Sequence, residues 1–130
     1  WSTIFGYIAL NPDTDSVLCI QFYKHGETPG LGGEVEKKWF TDNFVNHPLK
    51  QPGGETQYVP KRIRDKSGKI ISIKVVKGGV DYSESNTSSI HQVDGISGAT
   101  VTADGVTDFL LEDLLRYEKT LDKIRDYGTI

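Results

Sequence analysis

Three mainly apolar or alternating stretches of the chain have the residue patterns of β-strands. Residues 3–10 and 17–23 are rich in β-branched and aromatic side chains, and the turn-forming run 11–15 separates them, which predicts a β-hairpin. A third strand is predicted over residues 69–76. Along that strand one face carries Ile71, Ile73 and Val75.

Two other stretches show the helical repeat. Residues 34–46 place large apolar side chains near helical spacing, which predicts a short helix. From Thr102 to about Arg125 an apolar stripe steps by three and four residues, so we expect one long helix with Thr102 as its N-cap. Residues 47–68, with room for one short strand, and residues 81–92 are polar or rich in glycine and proline, and are predicted as loops.

This order of elements indicates an α+β fold in which a mainly antiparallel, twisted sheet packs with a long C-terminal helix. A chain of 130 residues is expected to form a single domain, residues 1–130, with a buried core. The net charge of −3 and the scattered Lys and Arg side chains argue against nucleic-acid binding, and their densest cluster, residues 61–66, is predicted to be a solvated loop or edge strand. Three separated histidines and one cysteine give no metal-ligand spacing, so no metal site is predicted.

The beginning of the chain predicts a piece of a longer protein. It starts without Met, inside a strand-like segment, and it shows neither a signal peptide nor an apolar run long enough to cross a membrane. A membrane anchor, where one exists, is therefore expected upstream of residue 1.

The segment Asp94-Gly95-Ile96-Ser97-Gly98-Ala99-Thr100 stands directly before the long predicted helix. A glycine-bearing turn at a helix start offers unpaired backbone N–H groups and the positive end of the helix dipole, where a phosphate can sit. The hydroxyl of Thr100 could itself be bonded to that phosphate. On these residues alone, the plainer interpretation is a turn that caps the helix.

A second glycine-rich segment runs His25-Gly26-Glu27-Thr28-Pro29-Gly30-Leu31-Gly32-Gly33. It is not a dinucleotide fingerprint, because Val35 stands where that motif needs its last glycine. Turns with positive φ would account for the glycines. The polar side chains and backbone N–H donors that accompany the glycines favour a loop that forms one side of a binding site for a polar, planar ligand.

Together these segments resemble the FMN-binding domain family. Residues 94–100 match its flavinylation motif D-x-x-[ST]-G-A-T, and residues 25–35 resemble its second signature. With residues 76–79, the chain resembles the C subunits of Na⁺-translocating NADH:quinone reductases, and residues 1–3 and 33–35 favour these over the related G subunits of Rnf complexes. The chain departs from the family at Ala103, where relatives commonly carry a serine.

The resemblance implies a set of cofactor contacts. A dedicated transferase would take FMN from FAD and attach it to Thr100 through a phosphodiester, and Asp94 would be the residue which that transferase needs. Lys77 would place a positive charge near the N1–C2=O edge of the flavin, where it favours the anionic reduced ring. The other implied contacts are with the phosphate and ribityl chain, by Ser97, Gly98 and Ala99, and with the ring, by Glu27, Thr28, Leu31 and Trp1.

The resemblance also implies a function. The chain would be a covalently flavinylated electron carrier, without catalytic residues of its own, on the periplasmic face of a bacterial inner membrane. Its partners would be the other subunits of a Na⁺-translocating NADH:quinone reductase and the flavin transferase, with no nucleic acid. Two alternatives remain open: the Rnf G subunit or another flavin-bearing electron-transfer domain, and a structural or binding module without flavin in which Thr100 only caps a helix.

Overall fold

The computed structural model describes residues 4–128, so the predicted contact of Trp1 lies outside the described residues. Short 3-10 turns connect several of the helices and strands. The strands and helices are β1 (Phe5–Leu10), β2 (Val17–Lys24), α1 (Lys38–Thr41), β3 (His47–Lys50), β4 (Thr56–Val59), β5 (Lys74–Val76), β6 (Gln92–Asp94), α2 (Thr100–Arg116) and α3 (Glu118–Gly128).

The first two strands form the predicted hairpin. β1 and β2 pair antiparallel, with Ile8 opposite Ile20. The Asp13 carboxylate closes the connection, because its Oδ1 accepts the N–H groups of Asp15 and Ser16, both at 2.9 Å. An Asx-type turn of this kind replaces backbone hydrogen bonds that the chain reversal removes.

A second hairpin occupies residues for which the sequence predicts a loop. β3 and β4 pair antiparallel from His47 opposite Val59 to Lys50 opposite Thr56. Gly53 and Gly54, both with positive φ, make the turn between them. Most of this hairpin is exposed, so its sequence shows no apolar alternation, and the prediction of a loop with one short strand was wrong for that reason.

The strand predicted over residues 69–76 is shorter in the structure. Only its last three residues form β5, which pairs parallel with β6 and places Val75 opposite Val93. Ser72 has a φ of +65° and is buried, whereas Ile71 is exposed. The left-handed residue rotates the chain, so the prediction that Ile71 shares a face with Ile73 and Val75 was wrong.

Two consecutive helices replace the single predicted C-terminal helix. α2 begins at Thr100, two residues before the predicted start, and ends at Arg116, while α3 begins at Glu118. Tyr117 lies between them, and its N–H donates to the carbonyls of both Asp113 and Leu114. Within residues 4–128, none of the helices combines the length and the hydrophobicity that crossing a membrane requires.

The arrangement is α+β, as predicted. Within residues 4–128 the strands form three separate pairs, two antiparallel and one parallel. α2 packs on β5, where the Thr107 hydroxyl accepts the N–H of Val75 at 2.9 Å. The hydrophobic core draws on both helical and strand segments, and its most completely buried members include Val35, Phe40, Phe44, Ile63 and Val93.

Two buried cations stand on either side of Ile63. The Arg64 guanidinium donates to the Thr14 carbonyl, to the Gly68 carbonyl at 2.9 Å and to Asp122 Oδ1 at 2.8 Å. It therefore ties the β1–β2 connection to α3. Lys61 is fully buried, and its Nζ lies 3.0 Å from Nδ1 of His47.

The buried position of His47 changes its protonation. Burial, together with repulsion from Lys61 and His91, lowers the pKa of His47 to about 4. The Nδ1 atom must accept the hydrogen bond from the Lys61 ammonium, which a neutral imidazole can do and an imidazolium cannot.

Acidification is expected to destabilise the fold through His47. In the unfolded chain this histidine binds a proton near its ordinary pKa of 6.5, whereas the folded protein resists protonation down to about 4. The free energy of unfolding should therefore fall by about 3 kcal/mol as the pH drops through that window. Chemical denaturation at a series of pH values measures it, with His47→Gln, which keeps an acceptor, expected to flatten the dependence. An unchanged pH dependence in His47→Gln would contradict this, and His25→Gln serves as the control.

Candidate functional site

The parallel pairing of β5 and β6 brings two of the sequence motifs together. Val76 lies opposite Asp94, so the segment that begins at Lys77 and the segment that begins at Asp94 leave the same end of the pair. The Gly95 N–H donates to the Gly78 carbonyl at 3.0 Å. Backbone contacts therefore fix one segment against the other.

Asp94 is part of this junction. Its Oδ1 accepts the N–H of Val80 at 2.8 Å, so the carboxylate holds the loop that follows Lys77. Burial lowers the pKa of the Lys61 ammonium to about 8, and the negative charge of Asp94 opposes that effect. Asp94 consequently has a structural use beyond the role that the resemblance implies for it.

Only glycine fits at position 95, because the two backbones approach closely at this junction. A Cβ at this position would collide with the carbonyl oxygen of Val76. Because that oxygen belongs to the backbone of β5, it cannot move aside without disturbing the strand pair. The first glycine of the D-x-x-S-G-A-T segment therefore serves packing.

The turn into α2 leaves the start of the helix open. Gly98 has a φ of +74°, and Ala99, at the N-cap position, provides no side-chain hydrogen bond. Ser, Thr, Asp or Asn at that position would occupy one of the first N–H groups of the helix. Thr100 is exposed at the first helical residue. An anion could therefore be held at this helix start, with the Thr100 hydroxyl beside it.

Thr102 is not the N-cap of α2, contrary to the prediction. Its hydroxyl donates to Oε1 of Glu27 at 2.6 Å. This hydrogen bond joins residues that are 75 positions apart and connects α2 to the glycine-rich loop. The capping prediction was wrong because the hydroxyl has a tertiary partner that local sequence does not reveal.

The glycine-rich loop also touches the turn before α2. A Cβ on Gly98 would come within 3.1 Å of Cδ2 of Leu31, and one on Gly32 would come within 2.5 Å of the Thr102 hydroxyl. Leu31 is nonetheless 44% exposed. The loop thus contributes an accessible apolar side chain next to the open helix start.

His25 organises the loop from within. Its Nδ1 accepts the N–H of Glu27 at 3.2 Å, so Nε2 carries the proton and donates to Glu36 at 3.1 Å. The Thr28 carbonyl accepts the N–H groups of Leu31 and Gly33. These contacts fix the backbone on which Thr28 and Leu31 are exposed.

The predicted site residues fall into three groups. Those on the exposed rim are Thr28, Leu31, Lys77, Ser97, Gly98 and Thr100. Glu27 and Asp94 are half-buried at junctions between segments, and Ala99 is 7% exposed and belongs to the core. Sequence reasoning missed two contacts, the hydrogen bond of Thr102 with Glu27 and that of Val80 with Asp94. The hydroxyl of Thr102, two residues after Thr100, was the available signal for the contact with Glu27. No sequence signal indicated the contact of Val80 with Asp94.

The geometry suits a ligand that has an anionic end and an apolar, planar body. The helix start offers unsatisfied N–H groups and a positive dipole to the anion, and Leu31 offers an apolar surface 3.1 Å from where a Gly98 Cβ would stand. Lys77, which directly follows β5, adds an exposed positive charge at this junction. FMN, with its phosphate and its flat ring, has this chemistry.

Known proteins resemble the chain over most of its length. The C subunit of the Na(+)-translocating NADH-quinone reductase of Vibrio vulnificus is 40% identical over 131 residues, which is 98% of this chain and 43% of that protein. The corresponding protein of Pseudomonas aeruginosa is 39% identical over 111 residues, 85% of this chain and 36% of that protein. The chain thus spans less than half the length of these curated relatives.

Solved structures show the same fold. The crystal structure of the C subunit of the Na(+)-translocating NADH-quinone reductase from Parabacteroides distasonis superimposes with a TM-score of 0.72 and 34% identity. The match covers 93% of this chain and 51% of that chain. Residues 1–113 match the family model described as an FMN-binding domain, so the chain belongs to the FMN-binding domain family.

Proposed function

We propose that this chain is a covalently flavinylated electron-carrier domain in which FMN is attached to Thr100 through a phosphodiester. The observation that carries the proposal is the exposed residue Thr100 at an uncapped helix start, to which the loop of Glu27 and Leu31 is tethered. Membership of the FMN-binding domain family supports FMN as the cofactor.

The attachment proceeds at Thr100 Oγ. The hydroxyl gives up its proton and forms a new bond to the phosphorus of the FMN half of FAD, the pyrophosphate bond breaks, and AMP leaves. A flavin transferase catalyses this step, and Asp94 is the motif residue on which it depends. Backbone N–H groups of Ser97, Gly98 and the first turn of α2 stabilise the phosphate charge.

The chain holds the ring by few contacts. Leu31 supplies an apolar surface, Thr28 and Glu27 supply polar groups at its edge, and Lys77 supplies a positive charge. FMN contributes one-electron exchange when it is bound. Because each hydrogen bond contributes only about 1 kcal/mol net, a covalent link lets the site stay open on one side and still retain its cofactor.

The wider assignment follows the relatives. We infer that the chain is part of the C subunit of a Na⁺-translocating NADH:quinone reductase and exchanges electrons with other subunits of that complex. The names of the similar proteins support this inference. The flavin domain lies on the periplasmic face of a bacterial inner membrane, is held there by an anchor outside residues 1–130, and does not turn over a substrate by itself.

Intact-mass measurement tests the attachment. After co-expression with an active flavin transferase, the chain should gain one FMN less one water, and Thr100→Ala should abolish this gain because the acceptor oxygen is gone. Thr56→Ala, which removes a hydroxyl from an exposed residue of β4 outside the motif, should still be modified. An unmodified wild-type chain, beside a control protein that the same transferase does flavinylate, would refute the proposal.

The tether between loop and helix is tested by Thr102→Val. The substitution keeps the shape of the side chain but removes the donor to Glu27, so the free energy of unfolding should fall by about 1.5 kcal/mol. Chemical denaturation of Thr102→Val, Glu27→Met, which removes the acceptor, and the double variant gives the coupling between the two side chains. Additive effects of the two substitutions would show that this hydrogen bond contributes nothing.

Lys77→Met is expected to lower the reduction potential of the attached FMN. A positive charge at the ring edge stabilises the anionic reduced form, and an interaction of about 1 kcal/mol corresponds to a few tens of millivolts. Potentiometric titration followed by flavin absorbance measures the shift. Lys74→Met, at the other end of β5, is the control; equal potentials in wild type and Lys77→Met would remove Lys77 from the site.

A further inference from the structure

Lys61 carries a buried ammonium group that the proposed carrier does not use. The side chain is fully buried, and Nζ donates to three acceptors: His47 Nδ1 at 3.0 Å, the Tyr82 hydroxyl at 2.9 Å and the Ser89 carbonyl at 2.9 Å. All three ammonium protons are therefore used. Its backbone is also held on both sides, by the Phe44 carbonyl and the Val17 N–H, each at 3.0 Å.

Two of the three acceptors belong to the segments that meet at Asp94. Tyr82 stands two residues after Val80, whose N–H donates to Asp94. Ser89 begins the 3-10 turn that leads directly into β6, and β6 ends at Asp94. The ammonium therefore fastens the chain on both sides of the junction from which the attachment turn departs.

The residue after Lys61 strengthens the same connection. The Arg62 N–H donates to the Ile90 carbonyl at 3.1 Å, and the Arg62 carbonyl accepts from Nδ1 of His91 at 2.6 Å. The turn that precedes β6 is thus held by the Lys61 side chain and by the backbone of Arg62. Movement of Lys61 would be transmitted to the first residue of the flavinylation motif.

Charge connects Lys61 to the motif as well. The Asp94 carboxylate acts electrostatically on both Lys61 and Tyr82, and the Lys61 Nζ lies 4.5 Å from the centre of the Tyr82 ring. A buried cation is costly unless hydrogen bonds and opposite charge compensate it. An apolar side chain would avoid the cost, but it would hold none of the three acceptors.

We propose that Lys61 is a positioning residue for the flavin attachment turn, fixing the segments around Tyr82 and Ser89 so that Asp94 and the start of α2 are held against the loop of Leu31. The inference rests on the proposed covalent carrier for its effect on flavin. Its effect on the turn itself is independent of any cofactor.

Amide hydrogen exchange of the whole 130-residue chain tests the positioning. In Lys61→Met, exchange at Val80 and Gly95, whose N–H groups hold the junction, should accelerate at least about tenfold, because hydrogen bonds from a charged group are lost. Arg64→Met removes the other buried cation, whose acceptors lie in the β1–β2 connection, at Gly68 and on α3, and should leave both amides unchanged. Unchanged exchange at Val80 and Gly95 in Lys61→Met would overturn the inference.

A milder variant keeps the test decisive even if Lys61→Met does not fold. Tyr82→Phe removes one acceptor and leaves the ammonium in place, so the same two amides should accelerate less than in Lys61→Met but still more than in Arg64→Met. If Lys61→Met does not fold, this comparison decides: acceleration supports the positioning role, and wild-type exchange refutes it.

The flavinylated protein gives a second readout. The fluorescence anisotropy of FMN attached to Thr100 should decay with a larger fast component in the Lys61 or Tyr82 variant than in Arg64→Met, because the turn that carries the flavin is looser. Identical decays would refute an effect on flavin placement. A wild-type chain that accepts no FMN would refute the proposed function, and the exchange measurement would then still decide the role of Lys61.

Discussion

The geometry of the candidate site depends on the hydrogen bond between Thr102 and Glu27. The two segments that form the site are far apart in sequence, and this charge-assisted contact holds them together at 2.6 Å. Leu31 lies over the turn at Gly98, and His25 organises the loop that carries Leu31 by accepting the N–H of Glu27. In the proposed carrier, the surface for the flavin ring and the site for its phosphate would otherwise be separate features.

Beneath this tether, the short β5–β6 pair sets the position of the attachment turn. Parallel strands leave their pair at the same end, so a loop and a turn that carry different chemistry become neighbours. The backbone at this junction has little freedom to move. A side chain at residue 95 would collide with the Val76 carbonyl oxygen, and Asp94 accepts the N–H of Val80. Functional groups are held most precisely on rigid elements supported from behind, and in the proposed carrier this pair would give Thr100 such support.

Sequence reasoning was reliable where one signal dominated, as for the first hairpin, the α+β class and the family. It failed where a tertiary contact determines the local structure, or where both faces of a strand are exposed to solvent. The β3–β4 hairpin has no buried face to produce alternation, Ser72 turns the chain by an unusual φ, and Thr102 bonds a residue that no local pattern connects with it. Lys61 stands in a charged cluster whose sequence is typical of a solvated segment, and only its three acceptors explain how it is buried.

Alanine at the N-cap of α2 has a consequence for how the protein matures. The first turn of α2 lacks a side-chain cap, and a phosphate bonded there would supply the missing partner for its N–H groups. In the proposed carrier the cofactor therefore takes the place of the missing cap at the start of the helix. Unloaded molecules would lack that partner and keep an accessible acceptor for the transferase, so the uncapped helix start would serve both the reaction and its product.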